Sequence, residues 1–293
     1  MTLSILVIHN PVAGRRWRRS VDQLFELLVE RDFKVRVELT AQRGDAREAA
    51  RLVSGIDVIV AAGGDGTVNE IVDGLTARKA GHEIPAIAFL PLGTANVLAW
   101  ELGLPRSPRE LVRLIEANET LQVRPGIANG RRIILMASVG LDARAVAAVK
   151  TATKRVIGGG AYLLAALTAL RQAPPCYQVN VDGRDFNART VIISRARRYG
   201  GPFSLTPDAG LETETLQIVM MRSYGLVSAL RYAVALALGR LHQLDDVTVV
   251  PGRKVTTDGP RGEPVQIDGD IVTHLPLEIC MDKQTVSFLI PEP

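Results

Sequence analysis

Ile56-Asp57-Val58-Ile59-Val60-Ala61-Ala62-Gly63-Gly64-Asp65-Gly66-Thr67 runs from an apolar strand through three glycines into a helix, and its reading decides the fold. A continuous apolar run of this length, bounded by glycine, suits a strand buried on both faces. Glycines without Cβ atoms let backbone N–H groups close on an anion, and the following helix offers its N-terminal dipole to phosphate. Asp65 stands among these donors and would by itself repel phosphate. Three readings stay open: Mg2+ lies between them, Asp65 orders the network that accepts a hydroxyl proton, or Asp65 merely caps the helix. No lysine follows as in a Walker P-loop.

Outward from this stretch the pattern alternates strand and helix. Leu3–Ile8 is a second apolar run, followed by a helical face over Trp17–Arg31, a strand over Phe33–Leu39 and a helix over Asp45–Val53. Beyond the glycines come a helix over Thr67–Lys79, a strand over Ala86–Leu90 and a helix over Pro108–Asn118. This order predicts a mostly parallel sheet with right-handed crossovers. Asn10-Pro11 and Gly14, Thr40 and Gly44-Asp45, the glycine run, and Pro91-Leu92-Gly93-Thr94-Ala95-Asn96 each follow a strand. Doubly wound sheets bind ligands at that edge.

After Pro125 short strands dominate: Arg132–Ala137, Tyr177–Val181, Thr190–Ser194, Thr215–Met221, Val247–Val250, Arg253–Thr257, Pro264–Ile267, Leu275–Ile279 and Thr285–Leu289. Helices are expected over Ala143–Thr151, Ala161–Arg171 and Leu226–Leu241. The expectation is an α/β nucleotide-binding domain, 1–125, and a β-rich, sandwich-like second domain, 126–293, with the C-terminal tail free to pack back on the first.

With 47% hydrophobic and 23% charged residues the chain can bury a core and is not disordered. A net charge of +4 with 4% aromatics gives no base-stacking surface, so nucleic acid is not an expected partner. Cys176 and Cys280 make no disulfide scaffold or zinc motif and read as two buried thiols of a reducing cytosol. The four histidines show no metal spacing, and His9 at a strand end reads as structural. Met1–His9 reads as a strand rather than a signal peptide. Val156–Leu170 falls short of the ~20 residues of a span, and Tyr224–Gln243 carries Arg231 at its centre, so neither is expected to cross a bilayer. Arg15-Arg16-Trp17-Arg18-Arg19, and Lys150, Lys154 and Arg155 ahead of an apolar helix, read either as solvated basic edges or as contacts to anionic lipid. Arg195, Arg197 and Arg198 form a further basic patch of unassigned use.

The four edge motifs, with Gly63-Gly64-Asp65-Gly66-Thr67-Val68-Asn69-Glu70 and Gly93-Thr94-Ala95-Asn96 foremost, resemble the soluble diacylglycerol kinase family, which includes sphingosine and ceramide kinases. GGDGT alone is shared with NAD kinases and phosphofructokinases, whose fold the first domain then takes. Ser138-Val139-Gly140-Leu141-Asp142-Ala143, Lys154-Arg155 with Gly158 and Ala161-Tyr162, and Gly200-Gly201 with Pro207-Asp208-Ala209 extend the likeness over nearly the whole chain. The resemblance implies an ATP- and Mg2+-dependent lipid kinase, cytoplasmic and peripherally membrane-associated, acting on a membrane lipid at an anionic surface, with a homodimer compatible. It implies ATP in an interdomain cleft, contacting Asn10, Thr40, Gly63, Gly64, Asp65, Gly66, Thr67, Glu70 and Thr94.

The family's proton acceptor lies in a DGE motif, matched here by Asp268-Gly269-Asp270. Two acids at i and i+2 of a strand share a face, so Asp270 and Asp268 are expected to act together; alone, DGD is more often a turn. Asp270 replaces the usual Glu, Val97 replaces the Asp of GTxND, and Leu211-Glu212-Thr213-Glu214 replaces the stretch that helps hold a structural magnesium. Glu212 and Glu214 are its candidate ligands, and the lost carboxylate argues for a substrate other than diacylglycerol itself. Two other readings remain: a NAD kinase-like enzyme with a soluble substrate, and a non-catalytic nucleotide- or lipid-binding protein.

Overall fold

The two apolar runs become the central strands of the first unit, in a computed structural model that describes residues 2–11, 18–78, 83–152 and 173–292. The chain divides into two units, Met1–Pro125 with Lys283–Pro293, and Gly126–Asp282. In the first, β1 (Ser4–His9), α1 (Arg18–Glu30), β2 (Lys34–Leu39), α2 (Asp45–Leu52), β3 (Val58–Gly63), α3 (Asp65–Thr76) and β4 (Ala86–Pro91) alternate. Then come α4 (Val97–Glu101), α5 (Pro108–Ala117) and β5 (Thr120–Val123). β1 to β4 are parallel, in the order β2-β1-β3-β4. Ile5, Leu6, Val7 and Ile8 of β1 are buried, as are all six residues of β3, so these strands are covered on both faces. β2 lies at the edge and stays largely exposed, which is why its sequence alternates instead of running apolar.

The sheet is completed by the other end of the chain. The C-terminal strand, Val286–Leu289, lies between β4 and β5, parallel to the first and antiparallel to the second. Its alternation reads equally well as one more strand of the second domain, because the pattern specifies a half-buried strand and not the sheet that receives it.

The second unit holds β6 (Gly126–Ala128), β7 (Arg131–Ile133), β8 (Met136–Val139), α6 (Leu141–Ala152), β9 (Tyr177–Val181), β10 (Arg184–Ala188) and β11 (Thr190–Ser194). It continues with β12 (Arg198–Tyr199), β13 (Phe203–Ser204), β14 (Leu216–Met221), α7 (Leu226–Ala237), β15 (Val247–Gly252) and β16 (Lys254–Asp258). β17 (Pro264–Ile267), β18 (Asp270–His274) and β19 (Leu277–Met281) end it. Two six-stranded sheets, β10-β9-β16-β19-β6-β7 and β15-β14-β11-β8-β17-β18, enclose one apolar core. Val179, Val181, Val255 and Ile279 enter it from the first, and Val191, Ile193, Ile218 and Val265 from the second. The sandwich expected from sequence is present.

Several elements differ from the sequence reading. Arg132–Ala137 is not one strand: β7 and β8 belong to different sheets, and the chain steps between them at Ile134-Leu135. The helix expected to reach Leu241 stops at Ala237, where Gly239 (φ +67°) takes the left-handed turn and Arg240 N–H donates to Ala235 C=O at 2.7 Å. Cys176 is exposed and Cys280 partly so, not buried: on β19 it is Ile279 that faces the core. Gly14 and Arg15–Trp17, Lys154-Arg155, the stretch 156–170 and the helix expected over 161–171 lie outside the described residues.

Candidate functional site

Strand register builds one edge of the first unit. His9 pairs with Leu39 and with Ala62, and Gly63 with Pro91, so Asn10, Thr40, Gly63 and the loop after β4 follow at one level. Asn10 N–H donates to Ala62 C=O at 3.0 Å, and Thr40 N–H to His9 C=O at 2.9 Å. His9 Nδ1 lies 3.2 Å from Ala62 C=O, a structural contact as expected.

The glycine run and the loop after β4 touch backbone to backbone. A Cβ on Gly93 would lie 2.8 Å from Gly64 Cα and 2.6 Å from Asn96 Oδ1, so no other residue fits there without displacement. Asn96, in the left-handed region (φ 46°), clamps this loop: its Oδ1 accepts from Gly93 N–H at 3.0 Å and its Nδ2 donates to Gly93 C=O at 2.9 Å. Gly64 is the N-cap of α3, and among the described residues no side chain caps that helix; Thr67 N–H turns back to Gly64 C=O at 3.0 Å, which leaves the N–H groups of Asp65 and Gly66 for solvent or a ligand. Around this N-terminus Gly66, Thr94 and Ala95 are exposed, whereas Thr67 is buried.

Asp65 does not cap its own helix. Its carboxylate turns to α4, accepting from Val97 N–H at 2.9 Å and Leu98 N–H at 3.1 Å. It therefore caps the helix after the second loop rather than its own. Burial raises its pKa, and the Leu98 and Val97 N–H groups oppose the rise. Glu70 likewise faces inward, where its Oε1 accepts from Gly44 N–H at 3.0 Å and ties α3 to the turn before α2. In that turn the Asp45 pKa is lowered by the N–H groups of Ala41 and Gln42. All three acids hold loops in place.

In the second unit Asp268 and Asp270 do not share a strand face. Asp268 (φ 46°) and Gly269 (φ 90°) are the two-residue turn joining β17 to β18, with Ile267 paired to Asp270. The turn wins because successive left-handed residues reverse the chain before the period of a strand can operate. Asp268 Oδ2 accepts from Ile134 N–H at 2.9 Å, and its Oδ1 from Leu135 N–H at 2.9 Å and Met136 N–H at 2.8 Å. Those donors are the ones freed where the chain steps from β7 to β8, so Asp268 stabilises the break and its oxygens are taken up. Asp270, half-buried, opens β18.

The residues present do not fit the structural magnesium. Glu212 and Glu214 are exposed and lie against arginines, Arg197 at 3.5 Å and Arg253 at 2.8 Å respectively. Among the described residues no group of three His, Cys, Asp or Glu side chains gathers as metal ligands would. The charge holding this loop is instead the guanidinium of Arg195, which is fully buried. It donates to Leu211 C=O at 2.5 Å, Thr215 C=O at 2.7 Å and Thr213 Oγ1 at 3.2 Å.

Sequence reasoning also assigned no role to Asp142. In the first turn of α6, it receives hydrogen bonds from the hydroxyls of Ser138 and Tyr199. Burial raises its pKa, against the pull of both hydroxyls. The available signal was a serine and an acid four residues apart inside an otherwise apolar stretch.

Comparison with known proteins places these loops in a family. Residues 4–127 match the diacylglycerol kinase catalytic domain, and residues 136–290 the YegS C-terminal NAD kinase beta sandwich-like domain. A probable lipid kinase YegS-like of Enterobacter sp. (strain 638) is 31% identical over 236 residues, 78% of this chain and 77% of its own. A diacylglycerol kinase of Bacillus subtilis (strain 168) is 25% identical, covering 98% of this chain and 96% of its own. In fold, a putative diacylglycerol kinase of Bacillus anthracis str. Sterne superposes with a TM-score of 0.78 at 22% identity, over 99% of this chain and 95% of that one. Both halves of the chain are thereby accounted for, and it belongs to the diacylglycerol kinase and YegS family of lipid kinases.

Proposed function

We propose that the chain transfers the γ-phosphoryl group of ATP to a hydroxyl of a membrane lipid. The observation that carries this reading is the uncapped N-terminus of α3 behind Gly64 and Gly66, in a chain whose family is that of lipid kinases. The phosphates are assigned to the N–H groups of that N-terminus, with Thr67, and Asn10, Thr40 and Thr94 to the nucleotide along the same edge. Mg2+ enters as the companion of the triphosphate, neutralising charge on it. Asp65 and Glu70 are assigned to holding the loops, not to the metal or the proton.

The lipid hydroxyl oxygen attacks the γ-phosphorus, the bond to the β,γ-bridging oxygen breaks, and ADP leaves with its electron pair. The hydroxyl proton passes to the carboxylate of Asp270, assigned alone because Asp268 is occupied by backbone donors. This chemistry needs positioning rather than a covalent intermediate.

The test is γ-labelled ATP with total membrane lipid, extracted into chloroform and resolved by chromatography. Label is expected in a lipid product, and Asp270→Asn is expected to lower the rate by about 10²- to 10⁴-fold while nucleotide still binds. Label confined to the aqueous phase would point to a soluble acceptor. Nucleotide binding without turnover on any lipid would leave a binding protein.

A further inference from the structure

We infer that α7 is the surface on which this protein meets an anionic lipid bilayer. Leu226, Val227, Leu230, Val234 and Leu238 are all between 51% and 83% exposed, an unusual state for five large aliphatic side chains on one short segment. At ~100° per residue they fall, with the exposed Ala233 and Ala237, in one arc of about 140° that contains no polar side chain.

The opposite side of the helix is fixed. Tyr232 and Ala235 are buried, and Tyr232 Oη bonds Asp246 and receives Ser223 N–H at 3.2 Å. The apolar arc is thus presented by an anchored element. Its C-terminal end packs beside β13, where Gly239 faces Ser204 and Phe203 is also exposed.

Charge decides the occupant. From Arg222 to Leu244 the chain has three arginines and no acidic residue. Arg231 lies on the helix, Arg222 and Arg240 flank it in sequence, and β13 beside it pairs with β12, which carries Arg198; with Asp245 and Asp246 the balance is four basic groups to two acidic. Arg231 pairs with Asp246 at the rim of the arc. An apolar face with a basic border is the composition of a helix that lies in a bilayer interface. A second copy of the chain suits it less, since a two-fold contact sets the same arginines of both copies against one another. At 12 residues α7 is ~18 Å long, too short for a hydrocarbon core of ~30 Å, so it lies on the membrane and does not cross it.

The inference deepens the lipid-kinase reading, on which it rests for why a bilayer is approached at all. Its test needs no turnover: co-sedimentation of the full chain with phosphatidylcholine vesicles, with and without phosphatidylglycerol. Partition onto the anionic vesicles is expected. Leu230→Glu and Val234→Glu are each expected to lower it about tenfold or more. Arg240→Ala is expected to lower it about fivefold on anionic vesicles and leave phosphatidylcholine unaffected. All three sites are exposed, so melting temperature and nucleotide binding stay at the parental values. Unchanged partition in the glutamate variants overturns the inference. So does light scattering that shows a dimer dissolved by Leu230→Glu. If vesicle binding behaves as expected but no lipid is phosphorylated, the proposed reaction fails and the docking surface stands.

Discussion

Asp65 and Asp142 are the two acids whose burial most clearly sets their behaviour. Asp65 belongs to the most legible motif of the chain, yet its partners, Val97 and Leu98 N–H, lie more than thirty positions away, and no local pattern could name them. Among the described residues the partners of Asp142 are the hydroxyls of Ser138 and Tyr199, and burial holds its pKa above the ordinary value of 3.8. The folded chain therefore keeps this proton to a higher pH than the unfolded chain does. The stability tied to it is fully present below the unfolded value and is lost as pH rises through the folded one. Asn at this position cannot ionise and escapes that loss. Urea midpoints of Asp142→Asn relative to the parent are expected to improve as pH rises from about 4, the ordinary carboxyl range. A constant difference as pH rises would mean the carboxyl is not held protonated by folding.

At the scale of elements, legibility follows length. β1 and β3 show unbroken apolar runs and α5 its helical period over enough residues to be read, whereas α4 has five residues and an N-terminus capped by a distant carboxylate. The β7–β8 break was hidden because Arg132–Ala137 satisfies a strand pattern throughout. What divides it is Asp268, more than a hundred positions later. The 211–215 loop is the sharpest case. Its acids invite a metal in sequence, and Arg195 reads as part of an exposed basic patch until its complete burial is known.

If the guanidinium is the cation that organises this loop, chelation by EDTA is expected to leave the melting temperature of the ligand-free protein unchanged. Arg195→Met, of similar length but without donors, removes the bonds to two carbonyls and a hydroxyl and is expected to cost on the order of 3 kcal/mol. Arg195→Lys restores charge but not the fork that reaches separated acceptors, so only partial recovery is expected. A melting temperature that falls on chelation would return the loop to a metal.

At the scale of the molecule, the alternation of strand and helix made the first unit legible, and short strands with turn signals did the same for the sandwich. Neither pattern tells which sheet takes the last strand, because membership depends on edges that exist only once the rest has folded. β4 and β5 leave such an edge each, and Val286–Leu289 fills the gap between them. Val286, Phe288 and Leu289 are almost wholly buried there. At ~1.5–3 kcal/mol for each side chain, their removal forfeits roughly 5–9 kcal/mol, which is comparable with the whole stability of an ordinary domain at about 5–15 kcal/mol. A chain ending at Asp282 is therefore expected to lose the cooperative unfolding of its first unit and with it nucleotide binding. Phe288→Ala, a milder cut, is expected to cost about 3–5 kcal/mol while keeping the fold. Calorimetric scans of the two variants check this. If the truncated chain melts at the parental temperature, the sheet does not depend on the strand that the far end of the sequence lends it.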